Sequence, residues 1–200
     1  MNAVFDDMMN GDGANVEDLL SHVVDVNEKQ NEPTKYTIAH LAALEGKLGI
    51  VTVVLAQDKI DLTVEDKDGR SPLHVAVLND RFWDTTKQTY VSRGIVKLFL
   101  QASADVAAVD QHKNTPLHLA VMQNDFDSIC LLLESNASPN AVNADNETPK
   151  TLAPQADERI RSLLNTTPPD NMTRIRGPFN KLDGIQMIND VTATMLGNMP

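Results

Sequence analysis

Hydrophobic and polar residues recur along this chain in blocks at a nearly constant interval. In four stretches a serine or threonine opens a short run that is apolar in most positions: TIAHLAA from Thr37, SPLHVAV from Ser71, TPLHLAV from Thr115 and TPKTLA from Thr148. Their first residues lie 34, 44 and 33 positions apart. A second apolar block follows each of the first three, and a polar stretch then leads to the next start. We therefore predict a chain of repeated units.

Each unit is predicted to contain two short helices. Serine or threonine followed by proline is typical of a helix start, because the hydroxyl accepts a backbone N–H and proline has none to leave unpaired. The leucine, alanine and valine residues that follow form one apolar helix face. Two such short helices cannot bury their apolar faces alone, so neighbouring units are expected to stack around one continuous core.

The segments DGRSPLHVAV and NTPLHLAV resemble the ankyrin repeat, whose period is close to this spacing. The resemblance implies an all-α fold, an ankyrin-repeat solenoid of stacked helix-turn-helix units with hairpin-like fingers. It places a repeat domain at residues 1–164, with end caps at 1–30 and 141–164 and internal repeats at 31–64, 65–108 and 109–140. Residues 165–200 are interpreted as a linker and basic tail containing a segment that could form a short helix.

The second internal repeat is longer than the others. Ten positions separate His40 from Ile50, whereas 21 separate His74 from Ile95, so 11 residues are added at the turn between the two helices. We predict that both helices are extended here: the first through Phe82 and Trp83, and the second, capped by Asp84, through Tyr90, Val91, Ile95 and Leu98. The aromatic residues could pack against one another, or Trp83 could anchor a partner.

Composition narrows the classes of partner. The formal net charge of −11 disfavours binding to nucleic acid or to an anionic membrane, and no apolar run approaches the length of a membrane span. The acidic start MNAVFDDMMN is unlike a secretory signal, and the single Cys130 forms no internal disulfide. We therefore expect a cytoplasmic protein that is a monomer on its own.

No catalytic or metal-binding set is predicted. His40, His74 and His118 occupy the same position in their repeats, and the resemblance implies that each is a buried residue tying a helix start to neighbouring backbone. Histidine and cysteine ligands at metal-binding spacing are missing, as are phosphate-binding and nucleophile motifs. Cys130, among leucines, is interpreted as an unreactive helix residue. We expect no cofactor.

The resemblance also implies where a partner binds, since the family uses the finger tips and the inner face of each first helix. The corresponding positions here are Tyr36, Leu44, Glu45, Arg70, Leu78, Asn79, Asn114, Met122, Gln123 and Glu147. The equivalent residues Leu44, Leu78 and Met122 are expected to form an exposed apolar ladder. Phe82, Trp83 and Tyr90 are added as candidates from the inserted segment.

The function predicted from these features is binding of one protein partner, which the chain would sequester, inhibit or scaffold. Two alternatives remain open at this point. One is a secreted or injected effector or adaptor with several partners. The other is an enzyme whose site is not recognisable in the sequence.

Overall fold

The computed structural model of the 200-residue chain describes residues 25–29, 33–153 and 158–166. The predicted N-terminal cap and the tail lie almost entirely outside these residues. Within them the elements follow one another as α1 Ile38–Glu45, α2 Leu48–Leu55, α3 Pro72–Asn79, β1 Arg81–Asp84, β2 Thr89–Ser92, α4 Ile95–Gln101, α5 Pro116–Met122, α6 Phe126–Glu134, α7 Pro149–Leu152 and α8 Glu158–Thr166.

The predicted helix starts are confirmed. A capping box starts each of four helices, at Thr37, Ser71, Thr115 and Thr148. The side chain of the cap residue accepts the backbone N–H of the residue three positions later, and the side chain of that later residue accepts the backbone N–H of the cap residue. Proline occupies the first turn in three of these four helices. The repeated serine or threonine therefore sets where each unit begins.

The helices pack in two layers. The first helices of successive units, α1, α3, α5 and α7, contact one another in order, and so do the second helices α2, α4 and α6. Alanine at 39, 76 and 120 is fully buried and allows close approach in the first layer, while Ile50, Val96 and Ile129 fill the second. One core runs through all the units, as expected for a stack of helix pairs.

The last described unit contains an amphipathic helix. In α8, Ile160 and Leu164 are buried against the core, whereas Glu158 and Arg159 are exposed. An exposed polar face of this kind is what an end cap of a repeat stack requires.

The prediction for the inserted segment is wrong. Helix α3 ends at Asn79, and residues 81–92 form a two-stranded antiparallel hairpin in which Phe82 pairs with Val91 and Trp83 with Tyr90. Asp84 accepts hydrogen bonds from the backbone N–H groups of Thr86 (2.9 Å) and Lys87 (3.2 Å) in the connecting turn. A carboxylate that accepts N–H groups two and three residues on serves a helix start and a tight turn equally.

Several positions have a left-handed backbone without being glycine. Gly69 has φ 72° in its finger, and the equivalent residues Lys35, Lys113 and Asn146 have φ between 57° and 61°. Ser103, after α4, has φ 65°, a backbone conformation that is strained for a residue other than glycine. The fold therefore imposes this conformation whatever residue is present.

Replacing Ser103 by glycine is expected to raise the free energy of unfolding by about 0.5–1 kcal/mol, because glycine adopts this backbone without steric cost. The Ser103 side chain is exposed, so its removal exposes no core. Urea denaturation measures the effect. Gly69→Ala is the matched opposite change: its Cβ would lie 2.8 Å from the Gln111 backbone nitrogen, and stability should fall. A destabilised Ser103→Gly variant would contradict the prediction.

Candidate protein-binding surface

The three repeat histidines have a structural role, as predicted. Nδ1 of His74 lies 3.2 Å from the Ser71 backbone nitrogen and accepts its N–H, and Nε2 lies 2.9 Å from the Asn114 carbonyl oxygen of the next repeat. His40 and His118 make the equivalent contacts, to the Arg70 and Glu147 carbonyls. Because one ring nitrogen accepts and the other donates, each imidazole is neutral. Burial lowers the pKa of all three.

The part of the chain that the structure describes offers no evident metal site and no reactive cysteine. Among those residues no group of three histidine, cysteine, aspartate or glutamate side chains could hold a metal ion. Cys130 is half-buried in α6, and burial followed by the Glu134 charge raises the pKa of its thiol. A raised pKa leaves little thiolate at neutral pH, so this cysteine is a poor nucleophile.

The fingers are joined to one another by backbone hydrogen bonds. The N–H of Lys67 donates to Thr34, that of Gln111 to Asp68 and that of Ala144 to His112, at 2.8–3.0 Å. Within each finger a buried aspartate or asparagine accepts N–H groups two and four residues further on, at positions 66, 110 and 143. The fingers thus form a connected edge with a fixed geometry.

The predicted binding positions divide between the two ends of the first helices. Tyr36, Arg70, Asn114 and Glu147 lie before the helices, next to the fingers. The others lie at the helix ends: Leu44, Glu45, Leu78, Asn79, Met122 and Gln123. An eight-residue helix is about 12 Å long, so the two groups are separate surfaces.

The finger group is only partly accessible. Tyr36 is half-buried, with its ring stacked on His40 at 5.6 Å between centroids. Arg70 is half-buried and paired with Asp68 at 3.2 Å. Asn114 is 7% exposed and bonds through its side chain to Asp110 and Asn143. Asn114 therefore belongs to the internal network, and we leave it out of the candidate surface.

The helix-end group is more exposed. Leu44 and Met122 are 39% and 51% exposed, whereas Leu78 is half-buried and packs against the core. The expected ladder therefore has two exposed outer residues and a less accessible middle one. Gln123 connects the third repeat to the second, since its side-chain amide donates to the Leu78 carbonyl oxygen at 3.3 Å.

The hairpin follows the helix end of the second repeat, between Leu44 and Met122 of the neighbouring repeats. Asp80 holds the two ends of the hairpin in place. The Asp80 carboxylate is fully buried and accepts the backbone N–H groups of Ile95 (2.5 Å) and Val96 (3.4 Å) and the Ser92 hydroxyl. Its carbonyl oxygen accepts the Arg93 N–H at 2.6 Å. In the third repeat Asp125 caps α6 directly. Asp80 thus caps α4 from the far side of the insertion.

Two arginines orient the hairpin between its neighbours. Arg81 lies 4.8 Å from the centre of the Tyr90 ring and donates to the carbonyl oxygens of Gln123 and Asn124 in the third repeat. Arg93 lies 5.5 Å from the Phe82 ring centre and donates to the Glu45 carbonyl oxygen of the first repeat. These carbonyls are at helix ends, where cations are favoured. Neither arginine was among the predicted binding positions, although both flank the hairpin.

Exposed apolar side chains concentrate around the hairpin. Of eight large exposed hydrophobic residues in the described ranges, six lie on the hairpin or on the helix turns beside it: Leu44, Leu48, Phe82, Trp83, Tyr90 and Met122. The other two, Val109 and Val142, occupy equivalent positions in adjacent fingers. Leu48 and both valines were not among the predicted positions. We call the six residues the turn-end surface.

The fold of the described residues defines a class of protein, a helical repeat solenoid. Ankyrin-repeat family models match residues 1–87, 68–111 and 112–144. The chain therefore belongs to the ankyrin repeat family, whose repeats serve protein interaction. None of the helices described here is both long and apolar enough to cross a membrane.

Curated relatives are similar over part of their length. The chain is 31% identical to the neurogenic locus notch homolog protein 1 of Xenopus tropicalis over 147 residues, covering 62% of this chain and 6% of the relative. It is 32% identical to the nuclear factor NF-kappa-B p105 subunit of Gallus gallus over 142 residues, 69% of this chain and 13% of the relative. For the human B-cell lymphoma 3 protein the identity is 31%, over 59% of this chain and 25% of the relative.

Proposed function

We propose that this chain is a non-enzymatic module that binds one protein partner through the turn-end surface. The observation that carries the proposal is the gathering of six exposed hydrophobic residues at the helix ends and on the hairpin. Scattered single hydrophobic residues are common on protein surfaces, but a contiguous apolar patch is typical of an interaction site. Sequestering, inhibiting or scaffolding the partner are all compatible with this surface.

The geometry favours a binding surface over a folding feature. Leu44 and Met122 lie in the first and third repeats, and the carbonyls next to them hold the arginines that orient the hairpin. A side chain at Gly46 would collide with the Arg93 guanidinium, so the turn after Leu44 is shaped to receive that arginine. The aromatic residues are therefore held in place rather than buried. Rigid aromatic residues are the commonest anchors in protein interfaces.

Replacing Leu44 and Met122 by serine together is expected to abolish or strongly weaken partner binding while the melting temperature changes little. Neither side chain belongs to the hydrophobic core cluster, so their loss costs the fold little, whereas a binding surface loses two apolar contacts. Affinity capture from cells that express the chain, with mass spectrometry of the retained proteins, measures the first effect. Differential scanning calorimetry measures the second.

The matched control is the pair Val109→Ser and Val142→Ser, which removes equally exposed apolar residues from the fingers. A partner that is retained by the wild-type chain and by the finger variant, but not by the helix-end variant, supports the proposal. If the finger variant loses the partner and the helix-end variant keeps it, binding takes place at the fingers and the proposed surface is wrong.

A further inference from the structure

The hairpin presents its aromatic rings in a fixed arrangement. Trp83 and Tyr90 pair across the strands with ring centres 5.1 Å apart in an edge-to-face contact, yet remain 50% and 56% exposed. Arg81 covers one face of Tyr90, and Arg93 covers Phe82 from the other side of the hairpin. Because the rings are ordered before a partner arrives, binding loses little side-chain entropy here.

The hairpin is also locally basic in an acidic protein. Residues 81–93 contain Arg81, Lys87 and Arg93 against Asp84 alone, whereas the whole chain carries −11. Lys87 pairs with Asp84 at 3.4 Å, and Arg81 lies 4.0 Å from the buried Asp125. The guanidinium of Arg93 contacts a carbonyl oxygen and an aromatic ring, neither of which bears a full negative charge. Arg93 is thus the cation that a partner carboxylate could neutralise.

The size of the aromatic surface limits what it can bind. A fully buried aromatic side chain contributes about 150–250 Å², so three rings at 39–56% exposure present on the order of 300 Å². A standard interface buries about 800 Å² on each partner, which two hairpins facing each other would not reach. The hairpin therefore suits a short segment of a partner better than a second copy of this chain.

The backbone of the hairpin favours an extended segment. In the part of the chain that the structure describes, this sheet has two strands, so both strands are edges. A strand edge offers N–H and C=O groups to a third strand, and a two-stranded sheet gains stability when one is added. Side chains of an added strand would alternate between the Trp83 side and the Phe82 side.

We propose that the hairpin is a docking site for an extended acidic segment of a partner protein, in which apolar side chains pack on Trp83 and Tyr90 and a carboxylate on the opposite side, beside Phe82, pairs with Arg93. This inference rests on the proposed function and names the chemistry of the segment that binds at the hairpin. Single-stranded nucleic acid could also stack on these rings, but it has no peptide backbone to pair with a strand edge.

Trp83 is the only tryptophan of the chain, so its fluorescence reports on this site directly. The full chain is titrated with a ten-residue peptide in which glutamate alternates with phenylalanine and valine. The same peptide with lysine, or with serine, in place of glutamate is titrated in parallel, together with an oligothymidine of eight nucleotides. We expect a saturable blue shift with the acidic peptide and binding at least tenfold weaker with the lysine peptide.

Arg93→Gln tests the assigned cation. Glutamine keeps a donor for the Glu45 carbonyl but removes the charge, and affinity for the acidic peptide should fall at least tenfold. Lys150→Gln removes an exposed cation from the C-terminal cap and should leave the affinity unchanged. Circular dichroism shows whether both variants keep the wild-type fold, and raising the salt concentration should weaken the acidic peptide selectively.

The remaining outcomes overturn the inference in distinguishable ways. Equal binding of all three peptides would show that charge plays no part, while the hairpin would remain an apolar anchor as in the proposed function. No saturable signal with any peptide up to millimolar concentration would exclude the docking site, and the helix-end variant described above would still decide the proposed function independently. Tighter binding of the oligothymidine than of the acidic peptide would assign the rings to nucleic acid instead.

Discussion

The free energy of unfolding of this protein should fall steeply as the pH drops below about 6.5, the ordinary pKa of histidine. His40, His74 and His118 are fully buried and neutral, each accepting a backbone N–H at Nδ1. Protonation would place a hydrogen on Nδ1, facing the backbone N–H that Nδ1 accepts in the neutral ring. The hydrogen bond that caps the helix would then be lost. Protonation is therefore opposed by both burial and geometry.

The loss of stability at low pH follows from the pKa shifts of the histidines. Burial lowers the pKa of the three histidines in the folded chain, so the unfolded chain binds more protons between the folded and unfolded values. As the pH falls through that window, each histidine lowers the free energy of unfolding by up to about 1.4 kcal/mol per pH unit. The three together lower it by up to about 4 kcal/mol per pH unit. Urea denaturation at several pH values between 7.5 and 5 measures the slope.

A variant with one histidine fewer provides the control. His74→Gln keeps an acceptor and a donor but does not titrate, so the protein should be less stable at pH 7.5 and its pH slope should be smaller by about a third. Asp80 has the opposite effect on how stability changes with pH. Burial raises its pKa, so the folded chain binds a proton at Asp80 more readily than the unfolded chain does. A slope that is unchanged in His74→Gln would show that other groups cause the acid sensitivity.

Replacing Asp80 by alanine is expected to lower the free energy of unfolding by about 2–4 kcal/mol. The change leaves the N–H groups of Ile95 and Val96 and the Ser92 hydroxyl without their acceptor at a buried helix start. Losing a helix cap costs about 1 kcal/mol, and each buried polar group left unpaired costs about 1–3 kcal/mol. Chemical denaturation followed by circular dichroism measures the loss.

Asp80→Asn separates the hydrogen bonds from the charge. Asparagine keeps an oxygen for the Ile95 N–H and can donate to the Ser92 hydroxyl, so we expect a loss of less than about 1 kcal/mol at neutral pH. Removing a buried carboxylate whose pKa is raised also removes the cost of its burial. Asp127→Ala, at an exposed position in the first turn of α6, should cost only a few tenths of a kcal/mol. Equal losses for Asp80→Asn and Asp80→Ala would assign the effect to the charge.

The repeat architecture could be predicted from the sequence because its signals are local and recur. In successive repeats the serine or threonine at the same position starts the first helix by the same hydrogen bonds, and this recurrence at nearly constant spacing identifies the repeat. The histidine contacts followed from the family resemblance in the same way.

The hairpin and the accessibility of individual residues were harder to predict. Asp84 satisfies a tight turn as well as it would a helix start, so its pattern did not distinguish the two, although Phe82, Trp83, Tyr90 and Val91 are residues favoured in strands. The burial of Asn114 depends on Asp110 and on Asn143 in the next finger. The positions of Arg81 and Arg93 depend on helix ends 42 and 48 residues away in the chain. Such long-range contacts leave no local pattern.

The closure of the hairpin at Asp80 makes this position a natural site for exchanging one loop for another. The Asp80 carbonyl oxygen and the Arg93 nitrogen are 2.6 Å apart, so the chain leaves the repeat and returns to it at nearly the same point. The entropy of closing a loop grows only slowly with its length, and the helix cap is supplied from outside the loop. Residues 81–91 could therefore be replaced by a loop of different length and sequence, provided that Asp80, Ser92 and Gly94 are kept. A repeat built in this way can acquire a new recognition segment without redesign of its core.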